Sequence, residues 1–123
     1  VAIWVALEDI DETNGALHYY EGSHQLPYFM NPDFENEGTK LMLGKKSYYD
    51  YEKMIEDKIV EHKLTKTVFK AKKGDIFIWH ANLLHGGEPH PDKLKTRKSM
   101  VFHYFGEGAI CYHEVTQRPA LIK

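Results

Sequence analysis

Neutral imidazole is a common ligand for iron, zinc and copper, and the sequence carries eight histidines. Two of them, His80 and His85, flank Ala81-Asn82-Leu83-Leu84 just ahead of the turn pair Gly86-Gly87. They follow a strongly β-prone run, so both stand where a strand ends and an imidazole can point into the mouth of a barrel. For His85 two readings are open: a metal ligand, or a turn histidine bonded to backbone. His18, His24, His62, His103 and His113 have no partner at a ligand-like spacing and read as surface or hydrogen-bonded core residues. His90-Pro91-Asp92 spells a His-x-Asp pair, but it lies in a Pro-rich loop five residues after His85, and short motifs arise often by chance.

The elements that must position these residues are mostly strands. Val1 to Leu7 is apolar at nearly every position and reads as a central strand buried between other elements. Asn14-Gly15 is a hairpin signal, because both residues tolerate positive φ, and Ala16 to Tyr20 follows as a strand before Glu21-Gly22-Ser23-His24 breaks it. Residues 25 to 46, with Pro27, Pro32, Gly38 and Gly44, have no sustained period and read as a long loop of the kind that forms lids. Ser47-Tyr48-Tyr49-Asp50 has capping-box form ahead of Tyr48, Tyr51, Ile55 and Ile59, one apolar helix face, so a helix is expected from about Tyr48 to His62. Thr67 to Ala71 and Ile76 to His80 are strands joined by a turn at Lys72-Lys73-Gly74-Asp75. Ser99 to Phe105 alternates, with Ser99, Val101 and His103 on one side and Met100, Phe102 and Tyr104 on the other. Short strands, Gly/Pro turns and one helix argue for a mainly β barrel or sandwich.

Composition narrows the classes. The chain has 123 residues, 42% hydrophobic and 28% charged, with a net charge of −2, as expected of a folded globular protein of about one domain. Lys and Arg are interleaved with Asp and Glu, so the basic stripe of a nucleic-acid binder is missing. The longest apolar run falls far short of the roughly 18 residues a membrane helix needs and lacks the charged start of a signal peptide. The single Cys111 excludes an internal disulfide or a Cys-x-x-Cys zinc site and fits a reducing compartment; a cytoplasmic location is expected. Because the sequence opens inside an apolar strand, the fold is expected to be incomplete at its N-terminus.

Six segments occur in a characteristic order: Trp4-Val5-Ala6-Leu7-Glu8-Asp9, Asn14-Gly15-Ala16-Leu17, Gly22-Ser23-His24, Gly74-Asp75-Ile76-Phe77-Ile78-Trp79-His80, Leu84-His85-Gly86-Gly87 and Arg97-Lys98-Ser99. Together, from Val1 to about Phe105, they resemble the phytanoyl-CoA dioxygenase (PhyH-like) family of iron(II)- and 2-oxoglutarate-dependent oxygenases. Glu21 departs from the Pro that often precedes Gly-Ser-His in that family.

The resemblance implies a double-stranded β-helix, or jelly roll, with residues 1–123 forming the C-terminal part of one oxygenase domain and residues 25–66 a loop-plus-helix insertion within it. It implies Fe(II) and 2-oxoglutarate as cofactors, with ascorbate as a reductant, and O2 and a small organic molecule as reactants. The family's iron ligands are an upstream His-x-Asp pair and a downstream His, a facial triad that leaves positions open. His85 matches the downstream histidine, and His90-Pro91-Asp92 is in the wrong chain order to be the pair, which is expected upstream of Val1. Arg97, twelve residues after His85, matches the arginine that grips the distal carboxylate of 2-oxoglutarate, and Ser99 is placed to assist; a guanidinium fork suits a carboxylate because it makes two charge-assisted hydrogen bonds. Trp4, Trp79, Phe77 and Tyr104 are candidates to line the pocket, and the loop from Gln25 to Lys46 to cover it.

Two other readings stand beside this one. Gly74, His80, Asn82 and His85 loosely fit the second metal motif of a cupin, also a jelly roll, although the His-x-His partner motif is missing. The other is a non-catalytic remnant of the oxygenase family. Hydroxylase and halogenase differ at the triad carboxylate, so the resemblance alone leaves them undivided. Oligomeric state is not legible.

Overall fold

The computed structural model describes residues 1–36, 44–112 and 119–121. The strands are β1 (Ala2–Ala6), β2 (Leu17–Tyr20), β3 (Lys66–Phe69), β4 (Ile76–Trp79), β5 (His85–Gly87), β6 (Ser99–His103), β7 (Ile110–Tyr112) and β8 (Pro119–Leu121), and β1, β4 and β6 coincide with β-branched and aromatic runs. With one α-helix, α1 (Tyr48–Glu61), and 3-10 turns at Ser23–Gln25 and Asn31–Phe34, the described chain is mainly β, as its patterning predicts. It divides into two compact units: Val1–Leu26 with Leu64–Tyr104, and Pro27–Lys63 with Phe105–Lys123.

The first unit holds two three-stranded antiparallel sheets, ordered β4-β1-β6 and β3-β2-β5. Because strand side chains alternate, the register decides what each face carries. Ala2 lies opposite Trp79 and His103, and Trp4 opposite Phe77 and Val101; Leu17 lies opposite Phe69 and Gly87, and Tyr19 opposite Thr67 and His85. These inner faces meet in an aromatic seam. Trp4 meets Phe69 edge-on at 6.1 Å, Phe77 lies 5.0 Å from both Phe69 and Tyr19, and Trp79 lies 4.8 Å from the His85 ring. Around the seam Ala2, Ala6, Ala16 and Ala71 are buried, small residues that leave room for the indoles.

Two local expectations are corrected. Asn14-Gly15 does not close a hairpin: β1 pairs with β4 and β6 and β2 with β3 and β5, so the chain crosses between sheets there. Gly15 does adopt a positive φ of 79°, which serves the crossover. Gly86-Gly87, read as a turn, belongs to β5 and pairs with β2; glycine has little strand propensity of its own, and the pairing comes from tertiary structure. The central position of β1 agrees with its sequence, but only its Ala2, Trp4 and Ala6 face is buried.

In the second unit, Ser47 caps α1. Its hydroxyl accepts from the Asp50 N–H, and the Asp50 carboxylate accepts the Ser47 N–H at 2.7 Å. The reciprocal bonds satisfy donors that a helix start leaves unpaired. Met54 is buried, and Tyr51 packs edge-on against Phe34 at 5.7 Å. β7 and β8 pair antiparallel. Of the loop expected over residues 25–46, residues 37–43 lie outside the described set.

Candidate metal and cosubstrate site

At one end of the seam the inner faces of the two sheets enclose a cleft of about 390 Å³ whose lining includes Trp4, Trp79, His85, Arg97 and Ser99. Five of the residues singled out in the sequence thus share one cavity, although they come from β1, β4, β5, the start of β6 and the segment just before it. Tyr104 is not in the lining. It stands with Met100 and Phe102 on the other side of β6, as the two-residue alternation of the strand requires, and is 56% exposed. Phe77 lies deeper, in the seam. Leu17, Val101 and His103 complete the walls; the alternation from Ser99 through Val101 is the signal that would have placed His103 here.

His85 reaches the cleft because β5 pairs with β2 at Tyr19. Its Nδ1 lies 2.8 Å from the Leu83 carbonyl oxygen. A carbonyl can only accept, so Nδ1 is the donor of this bond, and the neutral imidazole that makes it carries its lone pair on Nε2. Metal-binding histidines ordinarily have their other ring nitrogen held in this way. Of the two readings left open by the sequence, the bond to backbone is present, and Nε2 makes no hydrogen bond with a described residue.

Arg97 is seated on glycine. Its Nη1 donates to the Gly15 carbonyl at 2.9 Å, and a Cβ on Gly87 would lie 2.8 Å from the same nitrogen. The guanidinium has no other hydrogen bond or ion pair with a described residue, and the lining contains no carboxylate. A cation with unused planar donors in a cavity without acidic groups suits a carboxylate ligand.

The remaining histidines stand elsewhere. His18 is on the outer face of its sheet, packed where a side chain on Gly86 would be. Its Nδ1 is 2.7 Å from Glu88 Oε1, an oxygen shared with Lys66 Nζ at 2.6 Å. Burial pushes the His18 imidazole below its ordinary range against the pull of Glu88, and the Lys66 hydrogen bond holds Glu88 below the usual carboxylate range. His80, which a cupin motif would join to His85, does not line the cleft; its Nδ1 accepts the Asn82 N–H, and its ring lies 5.8 Å from His24. Asp92 of His90-Pro91-Asp92 accepts the Leu94 N–H in a local turn. His62 ends α1, and His113 lies outside the described residues. Among the described residues no group of three or more His, Cys, Asp and Glu could hold a metal ion, and no helix is long and apolar enough to cross a membrane.

No curated protein and no solved structure matches the chain. The family model for phytanoyl-CoA dioxygenase (PhyH) matches residues 1–97, a span that runs from the first strand to the cleft arginine and takes in most of the 123 residues, so the chain belongs to the phytanoyl-CoA dioxygenase family.

Proposed function

We propose that this chain supplies the downstream iron ligand and the 2-oxoglutarate anchor of an Fe(II)/2-oxoglutarate-dependent dioxygenase that hydroxylates a small organic molecule. The observation that carries the reading is the pairing, in one cleft without a lining carboxylate, of His85, whose Nε2 makes no hydrogen bond with a described residue, and Arg97, whose guanidinium is bonded among the described residues to the Gly15 carbonyl alone. Membership of an oxygenase family gives that pairing its chemical meaning.

Each residue has a definable task. His85 Nε2 would donate to iron, with the Leu83 carbonyl fixing the ring plane and raising its basicity. Arg97 would hold the distal carboxylate of 2-oxoglutarate, with the Ser99 hydroxyl as a further donor from the same side of β6. Trp4, Trp79, Leu17 and Val101 would form the apolar wall against which the substrate and O2 are held. Iron(II) and 2-oxoglutarate, when bound, would supply the oxidative chemistry, in which O2 gives one oxygen atom to succinate as carbon dioxide leaves and the other to the hydroxylated product. The two other ligands of a facial triad come, in this reading, from outside the described residues, and the jelly roll is the architecture that would bring them to His85.

The test is made on the protein expressed from its full reading frame, under anaerobic conditions. Iron(II) and 2-oxoglutarate together should produce the visible charge-transfer absorption of a 2-oxo acid chelate, which His85→Ala should abolish and Arg97→Ala should shift to at least tenfold higher 2-oxoglutarate. Unchanged absorption in His85→Ala would overturn the reading. Translation of the frame 5′ of the Val1 codon divides the subclasses: His-x-Asp or His-x-Glu supports hydroxylation, and His-x-Ala or His-x-Gly redirects the reaction to halogenation.

A further inference from the structure

Three polar side chains are buried among the described residues, and two of them, Asn14 and Ser23, stand three residues outside the two ends of β2. Both belong to motifs whose short sequence suggests only a turn. Ser23, 1% exposed, uses its Oγ to accept the Leu84 N–H at 2.9 Å, and the Leu84 carbonyl accepts the Tyr20 N–H at 3.0 Å. Leu84 is thus held at both its N–H and its C=O. It lies between His85 and Leu83, whose carbonyl fixes the His85 ring.

Asn14, 4% exposed, does the corresponding thing at the other end. Its Oδ1 accepts the Asp11 N–H at 2.7 Å, and its Nδ2 donates to the carbonyls of Asp9 at 3.1 Å and Thr96 at 2.9 Å. The Thr96 carbonyl belongs to the peptide that leads into Arg97. The next residue after Asn14, Gly15, presents the carbonyl that receives the Arg97 guanidinium. One side chain therefore fixes the arginine's backbone and sits beside the acceptor for its head.

We propose that Asn14 and Ser23 are positioning residues, Ser23 for the imidazole of His85 and Asn14 for the guanidinium of Arg97. What those two groups bind rests on the function proposed above; that the two clamps aim them does not. A site of this kind works only when its groups are held to within about 0.5 Å, and loss of a residue that orients a metal ligand typically costs 10–100-fold in metal affinity.

The experiment reads each target separately in the protein expressed from its full reading frame. ¹⁵N spectra of histidine rings and arginine guanidinium groups are recorded for Ser23→Ala and Asn14→Ser, with titrations of Co(II) alone and of 2-oxoglutarate at saturating Co(II). Ser23→Ala should change the Nδ1–H signature of His85 and weaken Co(II) binding 10–100-fold, with Arg97 resonances unmoved. Asn14→Ser should broaden or shift the Arg97 signals and weaken 2-oxoglutarate at least tenfold, with Co(II) affinity kept. Equal effects of each variant on both targets, or a lower melting temperature with spectra and affinities unmoved, would overturn the proposal. If Ser23→Ala does not fold, Ser23→Thr, which keeps the acceptor oxygen, must retain the His85 signature; a folded Ser23→Thr that loses it refutes the clamp. Co(II) affinity unaffected by His85→Ala would sink the metal reading alone, since the His85 ring signature still reports on Ser23.

Discussion

A methyl group on Gly87 would meet Arg97 Nη1 at 2.8 Å, closer than side-chain carbons approach a neighbouring atom. Gly87→Ala should therefore push the guanidinium off the Gly15 carbonyl while leaving His85, two residues earlier on β5, with its bond to Leu83. The expected outcome is a rise of about tenfold in the 2-oxoglutarate concentration for half-saturation, equivalent to about 1.4 kcal/mol, with Co(II) affinity unchanged. Titration of 2-oxoglutarate at saturating metal checks it, and an unchanged titration would mean that the arginine does not need its glycine seat. This dependence was not legible in the sequence. Arg97 itself could be singled out only because its spacing after His85 matched a family pattern, and two glycines carry no chemical signal. His103 has no partner at ligand spacing, and only its alternation with Ser99 and Val101 marks it as sharing their face of β6.

Within elements, local interactions are legible in the sequence and long-range strand pairing is not. The capping box of α1 is an interaction within four residues, so Ser47 and Asp50 were visible from type and spacing, and the helix begins where they place it. Ser47→Ala should remove the acceptor for the Asp50 N–H and destabilise the helix start by about 1 kcal/mol. The check is amide hydrogen exchange in the first turn of α1, expected to quicken about fivefold; unchanged protection there would show that packing of Tyr51 and Met54 alone holds the helix. Asn14-Gly15 shows the opposite case. The pair has the backbone freedom of a hairpin turn, but whether the strands on either side meet depends on partners far along the chain, and β1 finds β4 and β6 instead. β5 escaped for the same reason: it is three residues long, two of them glycine, and exists because β2 offers it a ladder.

For the molecule as a whole, the consequential feature is the outer face of the sheet β4-β1-β6. The register puts Ile3, Ile78 and Phe102 in one cross-strand row and Val5, Ile76 and Met100 in the next. Neither row contains a charge, and Ile76 and Ile78 are 56% and 62% exposed. The sequence showed that β1 was apolar on both faces; that one of those faces would stand open depended on packing outside the strand. A contiguous apolar patch of this kind favours association, and the outer ladder edges of β4 and β6, which have no strand partner among the described residues, add backbone donors and acceptors to it. The net charge of −2 provides little repulsion to oppose association. The 123-residue chain should accordingly self-associate at near-neutral pH and bind a hydrophobic dye. Ile78→Lys, at the β4 end of the first row, should shift the equilibrium toward monomer by about tenfold because pairing would then bury an ammonium group. Sedimentation velocity across a hundredfold range of concentration measures this directly. A monomer at every concentration with little dye bound would mean that the face is covered in solution, and Ile78→Lys would then lower the melting temperature instead of changing the association state.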